Sequence, residues 1–319
     1  MGRIFSVFLL VVLLAAAALF FKDEEAKLNS PVPKIKGAAA KDILVDNYWF
    51  PKLSSLTASK SVSDLNLSAK SALLVNYESG EIIFDKNSKE RLPTASTIKI
   101  MTALIALESS SLERNFTVSA KAAGVGEDSM DLAEGEKLTL SELLYGLMLV
   151  SGNDAAVTIA EGVGGSEDAF VAMMNNKLKS LGLSDTKFIN ASGLDEDNKD
   201  QYSTAFDLAT IAHYSFEKYP IFRQIVSTEH YVISETSDHK AFDLYNETNL
   251  LTTYPGVRGI KPGFTWDAGW CLVTYAQNNG KKLIGVILGS SDRRGEMKEL
   301  LDYGFSKYGI RVSHPALDL

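Results

Sequence analysis

Strand-patterned segments stand at both ends of the globular part of this chain, with a long helical stretch between them. That distribution limits the possible folds more than any other feature. SALLVNY from Ser71, a turn at Glu78-Ser79-Gly80, and EIIFD together spell a β-hairpin. Strand patterns then return only in QIVSTEHYVIS, the GIKPGFT segment, GWCLVTYAQ and KKLIGVILGS. Helical spacing fills the interval, in STIKIMTALIALESS, LTLSELLYGLMLVSGNDAAVTIAE, DAFVAMMNNKLKSLG and STAFDLATIAHYSF, and a last helix runs through EMKELLDYGFSKYG. The expectation is a mixed α/β architecture whose two ends complete one sheet.

Ahead of this region lies a different kind of sequence. From Ile4 to Phe21 the chain is apolar except for Ser6, with Arg3 before it and Lys22-Asp23-Glu24-Glu25 after it. Eighteen helical residues span roughly 27 Å, close to the hydrocarbon thickness of a bilayer, so residues 1–21 suit a transmembrane anchor. A cleaved signal peptide ending near Ala15-Ala16-Ala17 is the competing reading. Both send the remainder outward, because the positive charge stays on the inner side. Residues 22–67, with Pro31, Pro33 and Pro51 among Ser, Ala and Asn, read as a tether to a catalytic domain over 68–319, interrupted by the aromatic patch Tyr48-Trp49-Phe50.

Composition removes several function classes. A net charge of -8 without a basic stripe argues against a nucleic-acid partner. Cys271 is the single cysteine, and His213, His230, His239 and His314 lack zinc-site spacing, so neither a disulfide, a metal nor a cofactor is expected.

The chemistry-bearing residues begin with Ser96 and Lys99. At i and i+3 on a helix the two side chains share a face, and a lysine that has lost its proton can take one from the serine. Burial against Ile98, Ile100 and Met101, with a second cation nearby, would lower the Lys99 pKa. Ser-x-x-Lys alone is common in chains of this length. Ser151-Gly152-Asn153, after the apolar YGLMLV, adds a hydroxyl and a carboxamide, and Lys261-Pro262-Gly263 adds a cation on a strand.

In this order the three elements resemble the motif set of penicillin-binding proteins and serine β-lactamases. LPTASTIKIMTALIALE, NASGLDEDN followed by YSTAFDLATIA, and GIKPGFTWDAGWCLV narrow the likeness to the D-alanyl-D-alanine carboxypeptidases among the low-molecular-mass penicillin-binding proteins, over about residues 68 to 310. The resemblance implies a β-lactamase/transpeptidase-like domain, an antiparallel sheet flanked by helices plus a helical subdomain. It implies that Ser96 is the nucleophile, Lys99 its base and Ser151 a proton relay. Asn153, Lys261, Gly263 and Phe264 would bind substrate, with the backbone N–H groups of Ser96 and Phe264 as the oxyanion hole. The partners implied are a peptidoglycan stem peptide and β-lactam antibiotics, at the outer side of the cytoplasmic membrane.

Two departures stand out. Pro262 replaces the threonine of the usual Lys-Thr-Gly, removing a hydroxyl and an N–H, and Glu247 falls near a position where relatives often carry Arg or Thr. Arg258 is a possible compensating cation. Weakened recognition of the terminal carboxylate is the expectation. Two other functions stay open at this point: a non-catalytic envelope protein with a degenerate site, and a β-lactamase, for which no Glu stands out after Asn153 beyond Glu161. FTWDAGWCLV reads as strand and core packing with Cys271 buried, and Ser203-Thr204 as a helix cap.

Overall fold

The central strands carry apolar side chains on both faces, so they can only be stable between two layers. In the computed structural model, which describes residues 49–52, 65–196, 200–248 and 250–315, they are placed that way. β1 (Ser71–Asn76) and β2 (Ile82–Lys86) form the expected hairpin. They join β9 (Lys281–Ser290), β8 (Gly269–Asn278) and β7 (Val257–Thr265) in one antiparallel sheet of order β2-β1-β9-β8-β7. The two chain ends therefore meet in the middle of the sheet, where β1 pairs with β9 over Ser71↔Leu288 to Asn76↔Leu283.

Alternation along β1 divides the interior in two. Leu73 and Val75 face a large core shared with the helical region. Ala72 and Leu74 face a smaller core closed by Met297, Leu300, Leu301 and Phe305 of the last helix, which runs Arg293–Ser306. The large core is built on α1 (Lys99–Ser109), buried from Lys99 through Ala106, and on α3 (Leu140–Leu149) and α4 (Asn153–Gly164) beyond the short α2 (Ala120–Ala123). α3 starts sharply because Thr139 and Glu142 form a reciprocal capping box. α5 (Glu167–Ser180) and α6 (Ala205–Lys218) follow, capped by Ser166 and Thr204.

Several expectations need correction. Gln224–Val226 is helical, in α7 (Pro220–Val226), because Pro220 starts a helix whose Phe222, Ile225 and Val226 are buried; the strand β5 begins only at His230 and runs to Ile233, paired with β6 (Phe242–Tyr245). No correction attaches to the aromatic patch inside the segment read as tether: Trp49 packs on the domain, stacking on His213 at 4.0 Å, and Lys52 bridges to Glu81 at the sheet edge. Of Ser203 and Thr204 only Thr204 caps the helix; Ser203 instead bonds Thr186. The apolar run 4–21 and the remaining tether lie outside the described residues. Among the described residues no helix is long and apolar enough to cross a membrane.

Candidate active site

The site lies where the first helical turn meets the outer sheet strand. Ala95–Ile98 form a 3-10 turn that runs into α1, and Ala95 takes a positive φ of 49° to start it. A non-glycine residue in that region stores strain, which the surroundings must hold. Two glycines do so from opposite sides. A Cβ at Gly193 would come within 2.3 Å of the Ala95 carbonyl oxygen, and a Cβ at Gly263 within 2.9 Å of the Ser96 nitrogen. The nucleophile turn is thus clamped between the 190–194 loop and β7.

Lys99, one turn into α1, is wholly buried. Its Nζ lies 2.7 Å from Ser96 Oγ, 2.8 Å from Asn153 Oδ1, 2.7 Å from the Ser192 carbonyl oxygen and 3.4 Å from Ser151 Oγ. Two of these atoms, Asn153 Oδ1 and Ser192 O, can only accept hydrogen bonds. A neutral lysine has two N–H donors and one lone pair. A charged Lys99 donates to all three of Ser96 Oγ, Asn153 Oδ1 and Ser192 O, whereas a neutral one donates to the two obligate acceptors and turns its lone pair to the Ser96 hydroxyl. The Lys99 pKa is lowered well below the usual lysine range, first by burial and then by the Lys261 charge, against the opposing pull of Asp128, Glu247 and Asp154. The lowered pKa favours the neutral amine that a base would need.

Ser151 and Asn153 reach the site from the turn between α3 and α4, where Ser151 adopts a φ of 60°. The neighbouring Asp154 carboxylate secures the loop above by accepting from Ser129 Oγ at 2.6 Å, Met130 N at 3.1 Å and Leu132 N at 2.8 Å. Asn153 itself donates through Nδ2 to the Gly126 carbonyl.

Lys261 is fully buried on β7, and burial pulls its pKa down to about 8, with Glu247 and Asp128 opposing. Among the described residues its ammonium makes no hydrogen bond. Pro262 sits on the outermost strand, where half of the ladder positions are unpaired and a missing N–H is tolerated. Glu247 is placed among these charges; burial raises its pKa, Lys261 and Lys99 lower it and Asp128 raises it. Arg258, on β7, is exposed, as a surface role for it requires.

Sequence reasoning missed two groups. The Ser192 carbonyl has no side-chain signature; Asn190, which shapes its loop by accepting from Gly193 N at 2.8 Å, was the available signal. Arg293, from the start of the last helix, α8 (Arg293–Ser306), donates to the Gly263 carbonyl at 3.0 Å and lies 4.5 Å over the Trp270 ring. The segment expected to be core is also different: Cys271 is buried, but Phe264, Trp266 and Trp270 are 36%, 92% and 39% exposed. Phe264 lies near the end of the outermost strand, Trp266 in the β7–β8 turn and Trp270 at the start of β8, and among the described residues no further strand pairs beyond β7.

The chain is similar in sequence and in fold to known proteins. The D-alanyl-D-alanine carboxypeptidase family matches residues 58–292. The D-alanyl-D-alanine carboxypeptidase DacF of Bacillus subtilis is 38% identical over 264 residues, covering 80% of this chain and 66% of its own. A D-alanyl-D-alanine carboxypeptidase of Streptomyces sp. strain K15 is 33% identical, covering 78% and 91%. The chain spans 61% of the length of DacA from Escherichia coli strain K12. Among solved structures, the Streptomyces K15 DD-transpeptidase superposes with a TM-score of 0.71 at 30% identity, over 76% of this chain and 99% of that one. Penicillin-binding protein D2 of Listeria monocytogenes, solved in a cefotaxime-bound form, gives 0.69 at 28% identity over 76% and 99%.

Proposed function

Because the chain belongs to the D-alanyl-D-alanine carboxypeptidase family, we propose that it removes the terminal D-alanine from peptidoglycan stem peptides through an acyl-enzyme on Ser96. The observation that carries this reading is the wholly buried Lys99 amine 2.7 Å from the Ser96 hydroxyl, with its pKa lowered by burial and by Lys261.

Lys99 takes the Ser96 proton as Oγ attacks the carbonyl carbon of the penultimate D-alanine. The oxyanion is held by the backbone N–H groups of Ser96 and Phe264, the latter carried on the strand that Gly263 presses against the Ser96 turn. Ser151, 3.4 Å from Lys99 Nζ, passes the proton to the leaving nitrogen, and D-alanine departs. Water, deprotonated by Lys99, then attacks the ester and frees Ser96. Asn153 orients the substrate amide, and Lys261 supplies positive potential. Arg293 is the cation placed to meet the terminal carboxylate beside Pro262, in the role first considered for Arg258.

β-Lactams acylate Ser96 by the same attack. The protein works at the outer face of the cytoplasmic membrane, with the apolar run 4–21 as the attaching or exporting segment.

Mass spectrometry after incubation with penicillin, paired with an assay of D-alanine release, tests the reading. An adduct on Ser96 and released D-alanine are expected, both abolished in Ser96→Ala. A folded protein that gives neither is a non-catalytic binder.

A further inference from the structure

The β7–β8 turn leaves three large aromatic side chains in water directly beside the nucleophile. Phe264 and Trp270 are register partners with ring centroids 4.3 Å apart, and Trp266 meets Phe264 edge-on at 5.5 Å. Solvent exposure of one aromatic is ordinary; a contiguous ridge of three on the rim of a cleft is a recognition surface.

Strand pleating fixes how this ridge relates to the reaction. Lys261, Gly263 and Thr265 alternate onto the face of β7 that meets the Ser96 turn, and Pro262 and Phe264 onto the other, where Trp266 of the following turn meets Phe264 edge-on. β7 is the outermost strand, so an extended peptide can add to its free edge and present alternate side chains to the ridge. Direction follows from charge. Lys261 attracts the terminal carboxylate, so the leaving residue lies at the Lys261–Pro262 end. The acyl side of the peptide then runs the other way, past Phe264. Trp266 is the first residue past the end of β7, its ring centroid 5.5 Å from that of Phe264, so it stands beyond Phe264 on the acyl side, about where a residue upstream of the attacked one would pass. Trp270, stacked between Phe264 and Arg293, links the two ends.

We propose that Trp266, backed by Phe264, is a specificity subsite that packs an aliphatic side chain of the stem peptide upstream of the attacked residue. The assignment rests on the proposed carboxypeptidase reading for its direction. Exposed Trp beside Arg also suits a lipid surface. Adjacency to the cleft favours the peptide, because seating Trp266 in a bilayer would press the open edge of β7 against lipid and obstruct strand addition.

The test uses the full chain carrying Ser96→Ala, so that binding is read without turnover. Two synthetic ligands are compared: N-acetyl-D-Ala-D-Ala, which ends before Trp266, and a pentapeptide ending in D-Ala-D-Ala with an aliphatic side chain upstream. The pentapeptide binds more tightly to the parent. Trp266→Ala weakens pentapeptide binding about tenfold and leaves the dipeptide within twofold, and Trp266→Phe retains most of the difference. Equal binding of the two peptides by the parent, equal loss on both, or no loss on the pentapeptide overturns the proposal. Loss of co-sedimentation with phosphatidylglycerol-containing vesicles while peptide binding is unchanged assigns the ridge to lipid instead. Penicillin labelling of Trp266→Ala with Ser96 intact is a separate readout. Retained label with no peptide discrimination sinks the subsite alone, whereas a parent that never labels sinks the catalytic reading.

Discussion

Gly263→Ala isolates the contact between β7 and the nucleophile turn. The added Cβ would lie 2.9 Å from the Ser96 nitrogen and 3.1 Å from both the Ala95 Cβ and the Thr97 nitrogen. Ordinary contact begins near 3.5 Å, so relief demands a shift of ~0.6 Å between strand and turn. Neither partner yields easily, since the turn is held on its far side by Gly193 against the Ala95 carbonyl. Overpacking of this kind lowers stability by about 1–3 kcal/mol, or a Tm drop of several degrees for a domain of this size. The kinetic effect is larger than that figure suggests. A misplacement of about 1 Å can lower a rate about a hundredfold, so ~0.6 Å at Ser96 predicts roughly tenfold slower acylation. Stopped-flow acylation by a chromogenic cephalosporin, run with a thermal melt, separates the two effects. Gly182→Ala is the control: its φ of 71° strains an alanine, but no atom lies within 4 Å. It should lose stability and acylate normally. Acylation of Gly263→Ala at the parental rate would refute the clamp.

Three other perturbations probe the charges and supports around Ser96. The kcat/KM profile should be bell-shaped: activity falls at low pH as Lys99 regains its proton through its depressed pKa, and falls again above about pH 8 as Lys261 loses its charge. A profile still rising at pH 9.5 would show that the Lys261 charge is not required. Pro262→Thr restores a hydroxyl beside Arg293 and should raise kcat/KM on a D-Ala-D-Ala peptide about ten- to a hundredfold, the equivalent of one charge-assisted hydrogen bond of about 1.5–3 kcal/mol; an unchanged value would show that Arg293 already suffices. Asp154→Ala strands the Met130 and Leu132 N–H groups and the Ser129 hydroxyl. It should destabilise the protein by about 3 kcal/mol or more, and a melt within two degrees of the parent would contradict that.

What the sequence made legible, and what it hid, follows from how each part of the site is encoded. Ser96 and Lys99 share one helical face, so spacing alone places them together. Ser151 and Asn153 follow an apolar helix at fixed offsets, and the strands at both chain ends leave little choice but a common sheet. The Ser192 carbonyl could not be read, because a backbone oxygen has no residue identity; only the turn-forming Asn190 and Gly193 mark its loop. Arg293 escaped because its helix packs on the opposite face of the sheet and touches the site only over the edge of β7. The same edge explains the misread aromatics. Phe264, Trp266 and Trp270 alternate as core residues would, and on an inner strand they would be buried, but period two reports which residues share a face and not whether another layer covers it. Coverage is a property of strand order, set here by a pairing of β1 with β9 across some 200 residues of intervening chain. On the proposed reading, the open edge that sequence patterning cannot reveal is the one the peptide pairs with, and the substrate's orientation is set by residues on both faces of that strand. On one face, Lys261 and Gly263 address Lys99 and Ser96; on the other, Arg293, Pro262 and the aromatic ridge address the two ends of the peptide. Pro262 therefore weakens one grip of a two-sided clasp, so a peptide long enough to reach Trp266 should lose less from that proline than a dipeptide does.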